Sequence, residues 1–586
     1  AAFTACRSDS SEPLKIQKHT SIALVGNNLG SRMMNFGHFE TDMQVRYPDS
    51  MLYIRNFCDG GNTPGFRPHA ARNDPWAFPG AEKFQTEFAT PSGSEGHFES
   101  PDQWLTRHKA DVIIAFFGYN ESFQGKEGLD NYKAELDAFI KHTLKQHYNG
   151  QTTPQIAIVS PIAFEDLSDQ YDLPNGKKEN ENLLLYTQGM KAVADSNKVL
   201  FVDAFAPSKK WYDATKEALT IDGSQLNDEG YKKLSVLLAD EVFGKVSPKA
   251  EANRAMVLAA VKEKNWMWHD DFKIPNGVHV YGRRYNPFGP DNYPAEIEKI
   301  RQMTAIRDTA VWLAASKGEQ MDIAAADKNT LQLPAVKTNY NPKANGSLTY
   351  LYGQEALSKL KVPDGYKIEL FASEEEFPEL AKPMQMSFDN KGRLWVATMP
   401  SYPHYKPGDP KPDDKIIILE DTNADGKADK VTVFADKLHL PVGFEIAPEG
   451  VYVSQGTNLK LFTDTDGDDK ADKVEILLSG FDDHDTHHNS HAFTADPSGA
   501  IYSGEGVFLH TNVETSYGPV RATNGGFYRY APQLHKLERT AQLSIPNPWG
   551  IAFDEWGQPF FAETSGPDVR WMMPGTVLPR YGEATH

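Results

Sequence analysis

The chain has 586 residues, enough for two to four domains that each bury a core. Its 40% hydrophobic and 11% aromatic content fits an ordinary soluble protein, and a formal net charge of −20 would repel nucleic acid and anionic membrane alike. No apolar run approaches the ~20 residues needed to cross a bilayer.

Residues 1–19, opening AAFTACRSDSSEP, read as the remnant of an export signal followed by a polar tether. Phe3-Thr4-Ala5-Cys6 is similar to a bacterial lipobox, which would make Cys6 a lipidation site and put the protein in the periplasm or at the cell surface. The alternatives are a disulfide between Cys6 and Cys58, the only two cysteines, or two free thiols.

From 20 to 245, strand-like runs (Ser21–Val25, Met51–Ile54, Val112–Phe117, Gln155–Val159 and Val199–Val202) alternate with helical patterns such as Leu129, Tyr132, Leu136, Phe139, Ile140 and Leu144. Such alternation predicts a parallel sheet covered by helices, an α/β sandwich of flavodoxin type.

The turn after the first strand, Gly26-Asn27-Asn28-Leu29, resembles the GDSL turn on which SGNH hydrolases present their serine. RNFCDGGNT resembles that family's second block, with Gly61 as a backbone oxyanion donor, and AFFGYNES its third, with Asn120 as the side-chain donor. TIDGSQLNDEGY resembles the closing block, with Asp222 kept and Gln225 where the base histidine stands. The resemblance implies a degenerate site, because the amide of Asn28 cannot be deprotonated to attack an ester. Ser31 and Ser224 lie nearby in sequence, yet neither has a histidine at the expected spacing. A pseudoenzyme that binds a sugar or acyl group is expected, with carbohydrate-ester hydrolysis as the remaining alternative.

Residues 246–356 read as a helical, irregular connector whose Trp266, Trp268, His269 and Tyr281 either line a cleft or pack it onto the first domain. From 357 to 586 one pattern recurs four times: MSFDNKGRLWVA, FEIAPEGVYVSQ, FTADPSGAIYSG and IAFDEWGQPFFA. Their turn glycines, Gly392, Gly450, Gly499 and Gly557, are 58, 49 and 58 residues apart, the repeat of an all-β propeller blade. About four blades are expected here, within a propeller of six in a longer polypeptide or closed at four.

Two of the blades carry nearly the same acidic loop, DTNADGKADKV and DTDGDDKADKV, each flanked by strand-like runs. Asp421, Asn423, Asp425 and Asp429, then Asp464, Asp466, Asp468 and Asp472, occupy loop positions 1, 3, 5 and 9, a spacing that suits structural calcium on a β-hairpin. A solvated Asp/Gly turn is the alternative.

FDDHDTHHNSHAF supplies His484, His487, His488 and His491 beside three aspartates, where a blade begins. These histidines are candidates for metal ligation or for general-base catalysis of alcohol or sugar oxidation, the alternative being a polar loop at the propeller's mouth. SIPNPWGIAFD is similar to the RNPxG entry of quinoprotein sugar dehydrogenases, but Pro546 precedes Asn547 in place of the arginine.

Through HFETDMQVRYP, FFGYNESF and LFASEEEFPELAKPMQMSFDNKGRLWVATMPSYPH the chain resembles the PVC-type "membrane-bound dehydrogenase" proteins. These join an SGNH-like domain to a sugar-dehydrogenase-like propeller. The resemblance implies an exported protein that binds or oxidises a carbohydrate or other small molecule in the propeller funnel. Pyrroloquinoline quinone or another redox cofactor would be used, with a cytochrome or other electron acceptor as partner. A non-catalytic binding or scaffolding role in a multiprotein complex is the alternative. No CxxCH occurs, so covalent haem is not expected in this chain.

Overall fold

The computed structural model describes residues 12–72, 74–85, 96–282, 284–339, 350–523, 525–542, 547–566, 568–573 and 575–576. Cys6 and Pro546 lie outside them; Cys58 is a buried free thiol.

The first part of the chain is an α/β sandwich around five parallel strands, β1 (Ser21–Gly26), β2 (Tyr53–Cys58), β3 (Val112–Phe116), β4 (Gln155–Val159) and β5 (Leu200–Val202), in the order β2-β1-β3-β4-β5. This is the flavodoxin-type order. β1 and β3 are buried throughout, as unbroken apolar runs covered on both faces must be. β2 starts later and ends later than the apolar run suggests. Arg55 and Asn56 interrupt that run, yet both are buried inside the strand. Arg55 makes a bidentate pair with Asp308 (2.9 and 2.6 Å) from helix Gly289–Lys317 of the connector, so the charge is satisfied from outside the sheet. The connector's other long helix, Arg254–Phe272, buries Trp268, whose indole N–H donates to the Asn56 carbonyl. No helix among the described residues is long and apolar enough to cross a membrane.

The C-terminal part consists of antiparallel sheets in a four-blade, propeller-like arrangement. The first is β6 (Pro383–Phe388), β7 (Leu394–Thr398), β8 (Asp414–Glu420) and β9 (Lys430–Leu438); the second is β10 (Pro441–Ala447), β11 (Gly450–Gln455), β12 (Asn458–Thr463) and β13 (Lys473–Ser479). The third blade contains β14 (His491–Ala495) and β15 (Ile501–Glu505), then a separate hairpin of β16 (Asn512–Thr515) and β17 (Gly518–Arg521), and closes with β18 (Gly526–Ala531) and β19 (Lys536–Ala541). β20 (Gly550–Phe553), β21 (Pro559–Ala562) and β22 (Val569–Trp571) form the fourth. The leading strands β6, β10, β14 and β20 follow one another side by side. The four repeat glycines sit at the turn between the first two strands of each blade, all with positive φ (77°, 147°, 84° and 77°), which explains their recurrence.

Candidate functional site

The first candidate site forms at the carboxyl ends of β1, β2 and β3, where open α/β sheets place ligands. Gly26 ends β1 at φ 123°, and a Cβ there would meet the Phe116 carbonyl oxygen at 2.1 Å, so the turn holds its shape through glycine. Asn27 caps the short helix that follows, and Asn28 is its first residue, fully buried. Asn28 Nδ2 donates to Gln225 Oε1 at 2.8 Å, so the residues in the serine and histidine places bond to each other. Asp222 Oδ1 accepts from the Ser224 N–H and hydroxyl and from the Gln225 N–H, whereas its Oδ2 is buried without a hydrogen bond. Ser224 is thus tied to Asp222, and the described residues place no histidine on its hydroxyl.

The three oxyanion-type donors are aligned, but on a protein group. Glu514 Oε1 accepts from the Asn28 N–H (3.0 Å), the Gly61 N–H (2.8 Å) and Asn120 Nδ2 (2.9 Å). These are the lengths expected around an oxyanion. Glu514 comes from β16, and the hairpin is fastened around it: Tyr119 Oη donates to the Thr515 carbonyl (2.6 Å), Ser516 Oγ to the Asp222 carbonyl (2.6 Å) and Arg521 Nη2 to the Gly61 carbonyl (2.6 Å). Gly60 and Gly61 permit the approach, since a Cβ on Gly60 would lie 2.2 Å from the Asn512 carbonyl oxygen. The cavity left beside Asn27, Tyr119, Gln225 and Glu514 measures about 10 Å³, room for about one water. Burial pushes the Glu514 carboxyl up to about 6, although its three donors oppose the shift. Glu514 was not foreseen from sequence: it lies 394 positions from Asn120 on an insertion that reads like another blade strand.

Where the third blade begins, the four candidate histidines take different surroundings. His484 is buried against Gly277 and Gly282 of the connector, edge-on to His69 with ring centroids 5.5 Å apart; neither ring nitrogen has a hydrogen bond, and burial lowers it to about 4, so it is neutral. His491 begins β14, its ring 4.0 Å from Trp549 and its Nδ1 2.5 Å from the Asn489 carbonyl. His487 and His488 instead share Asp485, with Nδ1 2.8 and 3.0 Å from its two oxygens. Asp482, pushed up to about 7 by burial, accepts the N–H groups of His484 and His510, and Asp483 faces His269 at 3.4 Å. Beside this cluster runs an open groove of about 740 Å³ lined by Tyr293, Glu296, Tyr402 and His404, joined to it where Thr486 Oγ1 donates to the Pro403 carbonyl.

The acidic loops cap the β8–β9 and β12–β13 hairpins. In the first, Asp421 accepts from the Asp425 and Gly426 N–H groups and Asp429 from Thr422, while Asn423 and Asp425 bond each other. In the second, Asp464, Asp466 and Asp472 bring one oxygen each within 4.8 Å of the others, whereas Asp468 accepts from the Lys470 N–H. Of the connector aromatics, Trp268 is core, Tyr281 packs on Phe98 (6.0 Å), and Trp266 lines a second groove, of about 1000 Å³, with Tyr405 and Lys411.

Residues 353–585 match a family described as a domain of unknown function, DUF7133. No curated protein matches the chain. Among solved structures, the chain is similar to a catalytic mutant of an acetylxylan esterase from Geobacillus stearothermophilus, with 16% identity over 39% of this chain and 96% of that one (TM-score 0.28). It is likewise similar to an α/β hydrolase enzyme from the metagenome of Lake Arreo, Spain, with 14% identity over 40% of this chain and 99% of that one (TM-score 0.28). A gut microbial diltiazem-metabolizing enzyme is similar at 14% identity over 40% of this chain and 48% of that one (TM-score 0.30).

Proposed function

We propose that the chain is an exported, dehydrogenase-like protein that binds a sugar or related alcohol at the propeller mouth, and that its hydrolase-like domain is a dock rather than an esterase. The observation that carries this reading is Glu514, whose carboxylate oxygen occupies the position where an esterase would gather negative charge. A bound acyl group would have to displace a fastened hairpin, and the serine and histidine places hold amides that bond each other. Ligand chemistry then falls to the mouth, where carboxylates and imidazoles adjoin an open groove able to offer hydrogen bonds to hydroxyl groups.

Oxidation would need a redox cofactor, pyrroloquinoline quinone or another, or a partner such as a cytochrome. A non-catalytic binding role within a larger complex is the second reading, favoured by the same closure of the first site.

Two measurements test the proposal. Calorimetric titration with a panel of sugars and polyols should show saturable binding, and p-nitrophenyl acetate should be hydrolysed no faster than by a heat-inactivated control. Hydrolysis above the control refutes the dock, and a panel without any saturable binder refutes the mouth as a sugar or alcohol site.

A further inference from the structure

Asp485 is fully buried, and neither of its carboxylate oxygens makes a hydrogen bond, although the Nδ1 atoms of His487 and His488 lie 2.8 and 3.0 Å away. The two rings approach the carboxylate off the direction in which an N–H would point. A buried carboxylate is ordinarily paired along such directions.

His488 adds a second constraint through its other nitrogen. Its Nε2 lies 2.7 Å from Asn547 Oδ1, and Asn547 donates its Nδ2 to Ser565 Oγ at 3.0 Å. An amide oxygen only accepts, so His488 Nε2 carries the hydrogen and Nδ1 of the neutral ring keeps its lone pair. That lone pair faces Asp485 Oδ2 and, at 3.1 Å, the Val507 carbonyl oxygen. In that tautomer three electron-rich atoms, His488 Nδ1, Asp485 Oδ2 and the Val507 carbonyl oxygen, converge with no hydrogen between them. A hydrogen-bonded outer nitrogen that fixes the tautomer is the usual support of a metal-ligating histidine.

We propose that Asp485, His487 and His488, with the Val507 carbonyl, hold a divalent transition cation of the zinc class. Ligand atoms of the three side chains lie within 4.8 Å of one another. The separations of 2.8, 3.0 and 3.1 Å approach the ~3.3 Å edge of a tetrahedron with bonds of about 2.0 Å. Two imidazoles and one carboxylate suit zinc or cobalt and disfavour calcium or magnesium, which take oxygen ligands. His487 is the partly exposed member, 26% accessible at its side chain, so exchange of the ion and entry of a ligand's hydroxyl oxygen both occur on its side. The inference goes beyond the proposed function and does not require oxidation, because metal binding is read without turnover.

The test uses the full chain stripped with chelator and titrated with cobalt(II). One equivalent should bind with the visible absorption of a four- or five-coordinate ion, and zinc should displace it. His487→Gln, at the exposed edge of the site, should weaken binding at least tenfold, and Asp485→Asn should do the same. Asp195→Asn, exposed on helix Lys177–Asn197 of the α/β domain, should leave the spectrum unchanged. A chain that shows no saturable cobalt spectrum, or a spectrum that survives both His487→Gln and Asp485→Asn, overturns the proposal and assigns a proton to His488 instead.

Discussion

Glu514 of the propeller hairpin accepts the side-chain N–H of Asn120 of the α/β domain at 2.9 Å, buried and with the Asn28 and Gly61 amides on the same oxygen. Three donors converging on one carboxylate oxygen hold two parts of one chain together. Glu514→Ala leaves all three buried without a partner, at about 1–3 kcal/mol for each that water does not reach. The expected loss of stability is about 2–4 kcal/mol. Urea denaturation, with hydrogen exchange of residues 512–521, checks it; an unchanged midpoint and unchanged protection would show that the contact is incidental.

The same carboxyl gives a pH dependence with a definite sign. Burial pushes it up to about 6 from an ordinary 4.5, so the native state binds its proton more tightly than the unfolded chain does. Its contribution to stability is fully present below about pH 4.5 and lost as pH rises through about 6, in all about 2 kcal/mol. Between pH 4.5 and 7, Glu514→Gln is expected to flatten this component of the stability profile. A variant whose profile parallels that of the original chain would assign the dependence to other groups.

The residues that were legible in sequence are those whose chemistry is local. The GNNL turn, the strand that precedes it and the four blade glycines each announce a backbone shape, and a backbone shape is written in consecutive residues. Gly61, Asn120 and Asp222 could be placed because their blocks keep order along the chain, even though two partners are changed. Glu514 could not, because its meaning depends on a hairpin folding back across hundreds of residues. Asp485 was hidden differently: it stood in a run of acids and histidines, and only the fold separates it from His484, which turns to the connector, and from His491, which stacks on Trp549. Arg55 carries β2 beyond its apolar run because Asp308, far along the chain, supplies its counter-charge.

Docking of the hairpin should depend on Gly60 for steric reasons alone. A Cβ at that position would stand 2.2 Å from the Asn512 carbonyl oxygen and 3.3 Å from Gly480 Cα, both backbone atoms that cannot swing aside. Gly60→Ala is therefore expected to loosen β16 and β17 as Glu514→Ala does, and combining the two should add little because they act on one contact. Fully additive destabilisation would place the effect of Gly60 elsewhere.

The acidic hairpins are expected to answer to calcium through the second loop, where Asp464, Asp466 and Asp472 already converge. Calcium-selective chelation should lower the Tm, added calcium should restore it, and Asp466→Asn should remove the response. A melting curve indifferent to calcium would make both loops ordinary turns held by their own Asx-type hydrogen bonds.

On the proposed reading of the α/β domain as a closed esterase-like site, Glu514 also fixes what introducing a serine and a histidine there would accomplish. Asn28 and Gln225 are within 2.8 Å of each other, and Asp222 Oδ2 has no hydrogen bond, so a serine at 28 and a histidine at 225 would find an aspartate oxygen to orient the ring. Yet Asn28→Ser with Gln225→His should stay inactive on p-nitrophenyl acetate, because a carboxylate would repel the developing oxyanion from its three donors. Adding Glu514→Ala should release those donors and open the 10 Å³ cavity, raising hydrolysis at least tenfold over the double variant. Single oxyanion donors are worth about 10²–10³ in rate, so a further Asn120→Ala should remove most of the gain. Equal activity of the double and triple variants would show that Glu514 is not what closes the hole.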